Sequence, residues 1–283
     1  MPEKTVLITG CSHGGLGPAM AKAYLARGFR VFATLRNTSK AGSLAKIKGI
    51  EILELEVTSE ESIRQCVKSV EKLTGGSLDI LVNNAGISLC RPLLDTPVED
   101  AKKLFDANVW AVLAMVQAFT PLLIKAKGVI CNISSVSGEL VIAWNGIYNS
   151  SRAATTRLSE TLRLEMAPLG VRVVTVILGI VDTSNDNSTK HEDLVLPEDS
   201  YYQKIYDIIN RHKKFLVYPD RQNVDVAAKN IVSDVLGGHG YFIRRGQTST
   251  LSWFLNTFMP YGLCTSMVNE KSGLSELARG NNR

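Results

Sequence analysis

The chain has 283 residues, a formal net charge of +5, 45% apolar and 21% charged residues, a profile that suits one large α/β domain with a sizeable core. The charge is spread along the chain rather than gathered into blocks, which excludes a nucleic-acid surface from the reading. The cysteines (Cys11, Cys66, Cys90, Cys131 and Cys264) are odd in number and form no CxxC pair, so reduced thiols in a cytoplasmic protein are expected rather than a disulfide framework.

Met1-Pro2-Glu3-Lys4 leads directly into a strand without a signal-peptide pattern, and no apolar stretch of about 18 residues is expected to span a membrane. Thr5–Thr9 is a short apolar run, read as a buried parallel strand. It is followed by a glycine-rich loop, Gly10 to Gly17, and by a helix over 18–27 with Pro18 in its first turn and Gly28 past its end. Strand, glycine loop and helix together predict a dinucleotide site. Glycines let the main chain approach a pyrophosphate, and the helix start offers unpaired N–H groups. Gly10, Ser12, Gly15, Leu16 and Gly17 are the candidates.

Arg30–Thr34 is the second strand, followed by Arg36. An acidic residue in that region would hold a ribose 2′-hydroxyl, whereas an arginine suits a 2′-phosphate. Arg36 and the Ser12 hydroxyl are therefore expected to bracket that phosphate, which favours NADP(H) over NAD. The competing reading of Arg36 is a solvated loop charge. Ile50–Leu55 is a third strand closed by Glu56 and Val57 at the ligand edge of the sheet, and Glu60–Thr74 has helical apolar spacing. Leu78–Val82 is the fourth strand and ends in Asn83-Asn84-Ala85-Gly86, small enough for a flat ring to approach the main chain.

Residues 97–126 read as one helix, with Asn108 inside it and Trp110 expected to pack. An interior asparagine opposes helix propensity, so it either bonds something specific or is simply exposed. Gly128–Ile133 is the next apolar run. Beyond it stand Ser135 and, 13 residues later, Tyr148, with Arg152 four residues further on. Residues four apart share a helix face. A phenol near a fixed cation gives up its proton more readily, and a hydroxyl can hold an oxygen on which charge develops. The plain alternative is a strand end followed by an amphipathic helix with an exposed tyrosine.

That helix is expected to continue through Leu158, Leu162 and Leu164 to a break at Pro168–Gly170. Val171–Ile177 is a β-branched sixth strand, and Leu178–Thr183 leaves its end. Residues 184–220 read as a long irregular segment, rich in tyrosine and expected to cover the substrate. A helix over 224–236 and a short strand at Gly240–Ile243 follow. The apolar stretch Leu251–Pro260 has three readings: packing, a subunit contact or rest on a membrane surface. Lys271–Arg283 is expected to be loose. The organisation expected is one domain, 1–283, with a dinucleotide-binding and catalytic core at 4–183, a lid at 184–220 and an extension at 247–283.

Taken jointly, these residues resemble the short-chain dehydrogenase/reductase family over about residues 4–245. The glycine motif is matched by Thr9-Gly10, Gly15 and Gly17, with one residue more than the commonest spacing. Asn83–Gly86, Asn108, Ser135, Tyr148 and Leu178–Thr183 match the family's other motifs. The segments Phe32–Arg36 and Glu56–Thr58 and the tail around Trp253 look most like fungal acyl-dihydroxyacetone-phosphate reductases, close to the 17β-hydroxysteroid dehydrogenases.

The resemblance implies a Rossmann-type, doubly wound parallel sheet with helices on both faces, and hydride exchange between NADP(H) and a carbonyl or alcohol. It implies Tyr148 as general acid/base, Ser135 as holder of the substrate oxygen and Asn108 as anchor of a relay water. It places Asn84, Ala85, Gly86, Glu56, Val57, Val181, Thr183, Tyr148 and Arg152 on the cofactor, with no metal. It also implies subunit pairing, as a homodimer or homotetramer, through the helices carrying Asn108 and Tyr148.

Three positions depart from the family pattern. Arg152 stands where the family has lysine, and a planar guanidinium supplies charge and donors but does not readily release a proton. Glu56 replaces an aspartate. Leu178 replaces a proline, which is expected to loosen the turn beside the nicotinamide.

The leading reading is an NADPH-dependent reductase of a hydrophobic carbonyl compound of acyl, steroid-like, polyketide or terpenoid type. A second reading keeps the fold and drops net redox. The Tyr–Ser–Arg pocket would then serve isomerisation, epimerisation, dehydration or cyclisation. A third is a silent binding or scaffold protein. The apolar C-terminal segment adds an expectation of peripheral contact with endoplasmic-reticulum or other lipid surfaces.

Overall fold

The computed structural model of the chain describes residues 3–183, 192–218, 220–238 and 240–281. Residues 184–191, at the start of the expected lid, lie outside the described residues, as do 282 and 283 at the end of the expected loose tail.

The strands are β1 (Thr5–Ile8), β2 (Arg30–Leu35), β3 (Ile50–Glu54), β4 (Ile80–Asn83), β5 (Val129–Ser135), β6 (Arg172–Leu178), β7 (Val181–Asp182), β8 (Gln222–Asn223) and β9 (Phe242–Arg245). Seven form one parallel sheet in the order β3-β2-β1-β4-β5-β6-β9, while β7 and β8 pair separately. The last strand of the large sheet begins two residues later than the spacing predicts.

The inner strands are largely apolar because both faces of the sheet are covered there, whereas the edge strands β3 and β9 carry Glu51, Glu54, Arg244 and Arg245. Val6 and Ile8 of β1 face one core, with Val31, Val174 and Val176, against α1 (Leu16–Leu25) and α7 (Val224–Gly237). Leu7, Phe32, Leu81 and Ile130 point the other way, into a second core with Met115, Phe119 and Leu162. That core is closed by α2 (Glu60–Thr74), α4 (Ala111–Ala126) and α5 (Gly146–Met166). In α2 the Ser59 side chain caps the first turn, Glu60 and Glu61 sit at the positive end, and Gly75 closes it at φ +70°.

The helix expected over 97–126 is interrupted. It runs as α3 (Val98–Phe105), a π turn at Asp106–Trp110 and then α4. A π turn shifts the register of the helix and is often found at functional sites. The whole run is long and apolar enough to cross a membrane by length and composition, with a mean hydropathy of 1.7 in its most apolar window, which corrects the expectation of no such stretch. Half of that window is buried inside the protein, because this is the central core helix. Trp110 is 54% exposed and Leu164 is 63% exposed, so neither packs inside the chain as expected.

The segment expected to be irregular contains α6 (Tyr206–Lys213). The C-terminal region forms α8 (Ser249–Phe258), α9 (Tyr261–Val268) and α10 (Leu274–Asn281), so the tail expected to be loose is helical up to its last described residue. A third apolar cluster explains why: Trp144, Leu194, Ile205 and Ile209 form it, and Tyr202 and Leu277 pack against it. Only the chain's return to the site end of the sheet makes that burial available.

The chain reverses its winding between β1 and β4, so the ends of these two strands open a crevice. The glycine loop, the Asn83–Gly86 segment, Ser135 and Leu178 all leave strand ends on that side.

Candidate active site

Thr9 ties the first two segments together. Its Oγ1 accepts the N–H groups of Asn84 at 3.0 Å and Ala85 at 2.9 Å. In return, Asn84 Nδ2 donates to the carbonyls of Thr9 at 2.8 Å and Gly10 at 3.1 Å. The Asn84 amide thus braces the glycine loop. Thr9, read from sequence only as part of a motif, is a structural member of the site, and a hydroxyl directly before the first glycine was its signal.

Side chains are excluded at two positions of this loop. Gly10 has φ +73°, and a β-carbon on it would lie 2.8 Å from Ala85 Cα. One on Gly17 would lie 2.6 Å from the Gly10 carbonyl oxygen. Gly15 caps α1 without a side-chain bond, and no acidic residue occupies the first turn. Leu16 turns its side chain into the core at 6% exposure, so only its main chain can serve a ligand. A bare main-chain floor ahead of an uncapped helix start fits a pyrophosphate.

At the far end of β2, Arg36 is 79% exposed and its Nη1 lies 3.5 Å from Glu56 Oε2. Glu56 Oε1 accepts the N–H of Thr58 at 3.1 Å and its hydroxyl at 2.9 Å. The carboxylate is therefore engaged by Thr58 and Arg36. Val57 packs against the second core. Ser12 is half-buried, and the next residue, His13, donates its N–H to the Lys40 carbonyl at 3.0 Å. That contact lays the segment after β2 over the glycine loop.

The other end of the crevice gathers Gly86, Asn108, Ser135, Tyr148 and Arg152. Asn108 is fully buried in the π turn. Its Oδ1 accepts the Ile87 N–H at 2.8 Å, and its Nδ2 donates to the Ile87 carbonyl at 2.9 Å and to Ser151 Oγ at 3.1 Å. Its main-chain carbonyl accepts Thr155 Oγ1 at 2.9 Å. Asn108 therefore bonds something specific, as an interior asparagine should: it holds the turn after Gly86 against α5.

Arg152 is 8% exposed. Its Nη1 donates to the Ile133 carbonyl at 3.1 Å, and its guanidinium carbon lies 5.1 Å from the Tyr148 ring centroid. Nε is buried without a protein partner, a donor that a cofactor hydroxyl could satisfy. A β-carbon on Gly86 would lie 2.6 Å from Arg152 Nη2 and 2.9 Å from Asn108 Oδ1. Gly86 thus makes room for the larger cation.

Ser135 ends β5 at 9% exposure. Its Oγ accepts the Ser137 N–H at 3.2 Å, so the hydroxyl hydrogen is left to donate. Behind it, Ser134 Oγ meets Thr156 Oγ1 at 2.7 Å and donates to the Arg152 carbonyl at 3.0 Å, fixing α5 to the strand.

The turn after β6 is held firmly despite Leu178. Gly179 donates its N–H to the Arg245 carbonyl at 2.8 Å, and Ile180 exchanges main-chain bonds with Gln247, each at 2.9 Å. A β-carbon on Gly179 would collide with the Gln247 carbonyl oxygen. The expected loosening is therefore not observed, because the segment after β9 replaces the rigidity of a proline. Val181 pairs with Gln222, and the Thr183 N–H donates to the Val181 carbonyl at 3.1 Å.

Burial pushes the thiols of Cys11 and Cys131 up to about 12. Among the described residues no group of three or more metal-binding side chains occurs.

Residues 4–194 match the family model described as short chain dehydrogenase. The chain belongs to the short-chain dehydrogenase family. It is 66% identical over 274 residues to the short-chain dehydrogenase cctT of Talaromyces islandicus, covering 97% of both chains. It is 42% identical over 202 residues to an NADPH-dependent 1-acyldihydroxyacetone phosphate reductase of Schizosaccharomyces pombe, covering 71% of this chain and 68% of that one. Among solved structures, a short-chain dehydrogenase from Streptomyces avermitilis superposes with a TM-score of 0.76 at 25% identity, covering 99% of this chain and 98% of that one. In this short-chain dehydrogenase the strand ends, the π turn and α5 build one crevice, with the glycine loop at one end and the Ser–Tyr–Arg group at the other.

Proposed function

We propose that this short-chain dehydrogenase is an NADPH-dependent reductase of a carbonyl group on a hydrophobic small molecule. The observation that carries the reading is the convergence of a phenol, a hydroxyl donor and a buried cation at the end of a crevice whose other end is a glycine-rich loop. The Schizosaccharomyces pombe relative is an NADPH-dependent reductase, which supports NADPH, and Arg36 and Ser12 would bracket the 2′-phosphate.

Gly10, Gly15, Gly17 and Gly86 would hold the dinucleotide, with Arg152, Val181 and Thr183 at its nicotinamide end. When bound, the dihydronicotinamide supplies a hydride to the carbonyl carbon. Ser135 Oγ–H donates a hydrogen bond to the substrate oxygen. The Tyr148 phenol transfers its proton to that oxygen as the carbonyl π pair becomes the new O–H bond. Arg152, fixed beneath the ring, balances the phenolate that remains. Tyr148 is half-buried, so it recovers its proton from the solvent side.

The tyrosine-rich segment after Thr183 and the apolar C-terminal stretch support a hydrophobic substrate of acyl, steroid-like, polyketide or terpenoid type. Exposed Trp110 supports pairing with a second copy along the helix that carries Asn108. In α8 the burial is inverted: Ser249 and Ser252 are each 3% exposed, while Phe254 is 53% and Phe258 is 63% exposed. No charged residue lies between 246 and 269, so this face would dock on a lipid surface from the cytoplasm without burying a charge.

Fluorescence titration with NADPH, followed by absorbance loss with a panel of hydrophobic ketones, tests the reading. Binding with turnover is expected. Failure to bind NADPH overturns it, and binding without turnover passes the site to non-redox proton transfer.

A further inference from the structure

We infer that the turn at 269–273 in the C-terminal region is a clasp that positions Tyr148, with Asn269 as the positioning residue. The inference rests on Tyr148 being the proton donor proposed above.

The chain from Leu140 to Asn145 joins the turn after Ser135 to α5, and Tyr148 sits two residues inside that helix. This connector has no helix or strand of its own. Trp144 within it holds φ +67°, a region that a residue with a β-carbon rarely adopts. Its shape must therefore be imposed from outside.

Asn269 imposes it from both sides of its amide. Oδ1 accepts the Ala143 N–H at 2.8 Å, and Nδ2 donates to the Val141 carbonyl at 2.8 Å. Three residues on, the Ser272 carbonyl accepts the Trp144 indole N–H at 2.9 Å. The hold reaches α5 through Asn149, the neighbour of Tyr148, whose Nδ2 donates to the Ile142 carbonyl at 2.9 Å. The same turn grips the helix of the segment expected to cover the substrate. His212 Nε2 lies 2.8 Å from the Lys271 carbonyl oxygen, and a β-carbon on Gly273 would lie 2.9 Å from Ile208 Cδ1. One turn thus fixes the approach to the proton donor and the α6 helix together.

The chemistry of asparagine is required. It offers an acceptor and a donor in one plane, matched to one N–H and one carbonyl of the same loop. Aspartate keeps only the acceptor, and alanine keeps neither.

Asn269→Ala and the milder Asn269→Asp test the clasp in the full chain. Hydrogen exchange should speed up at amides 141–149 and stay unchanged at 9–17, and more so for alanine than for aspartate. With the hydrophobic ketone that the native chain turns over fastest, kcat should fall about 10- to 100-fold, while the KM and fluorescence-measured Kd for NADPH stay the same. Unchanged exchange at 141–149 overturns the inference. So does equal loss of protection at 9–17 and 141–149, or an unchanged kcat. A native chain that consumes no NADPH with any ketone overturns the reductase reading instead, and the exchange result then decides the clasp by itself.

Discussion

Arg152 and Gly86 share one small space: a β-carbon on Gly86 would lie 2.6 Å from Arg152 Nη2. The cation that lies under Tyr148 is accommodated by the missing side chain at the end of the Asn83–Gly86 segment. Gly86→Ala should therefore displace the guanidinium from its seat against the Ile133 carbonyl and lower kcat by about 100-fold. Steady-state kinetics of that variant, with fluorescence titration to report NADPH binding, checks this.

Removing the phenolic hydroxyl with Tyr148→Phe should lower kcat by about 100- to 10,000-fold, the range for loss of a general acid. Arg152→Met, which keeps bulk and removes charge, should fall in the same range. Arg152→Lys should retain most of the activity, because it restores a cation on the same helix face. Single-turnover NADPH oxidation separates these chemical effects from binding.

Gly17→Ala would place a methyl group 2.6 Å from the Gly10 carbonyl oxygen and 2.9 Å from Asn84 Nδ2. The two neighbours are hydrogen-bonded to each other, and Asn84 Nδ2 also donates to the Thr9 carbonyl, so neither yields cheaply. A stability loss of about 1–3 kcal/mol is expected, with loss of NADPH binding. Urea unfolding and titration measure the two separately.

His212 carries a pH dependence. Burial holds its imidazole below the ordinary value of 6.5, against a smaller opposing effect of its bond to the Lys271 carbonyl. Nδ1 is buried without a partner, so protonation there places a charge where nothing receives it. The unfolded chain then binds more protons than the folded one, and stability rises with pH. The contribution is complete above about 6.5 and is lost as pH falls below it through the lower folded value. Thermal melts from neutral to mildly acidic pH should show this loss, and His212→Gln should flatten it.

Burial pushes the thiols of Cys11, Cys66 and Cys131 up to about 12. They are buried and stay protonated at neutral pH. Native protein should therefore resist alkylation at these three positions at pH 7.5 and react fully in denaturant, as peptide mass mapping will show.

The order of strands and helices was legible because the inner strands of this parallel sheet are buried on both faces and read as short apolar runs. Thr9-Gly10, Asn83–Gly86, Ser135 and Tyr148 were legible too, since their residue types serve chemistry that burial alone does not ask for. Arg152 was visible as a departure, but the space that Gly86 makes for it was not, because the two lie far apart in the chain and meet only across strand ends. The same holds for Asn84 and Asn108. Their amides meet Thr9, Gly10, Ile87 and Ser151, which only the folded chain brings near. Leu178 looked like a loosened turn until Gln247 arrived beside it from the end of the last strand. The helical tail and the Asn269 contacts were beyond local reading altogether: periodicity reports how a segment buries its own face, whereas these contacts exist only once the C-terminal region has returned to the crevice.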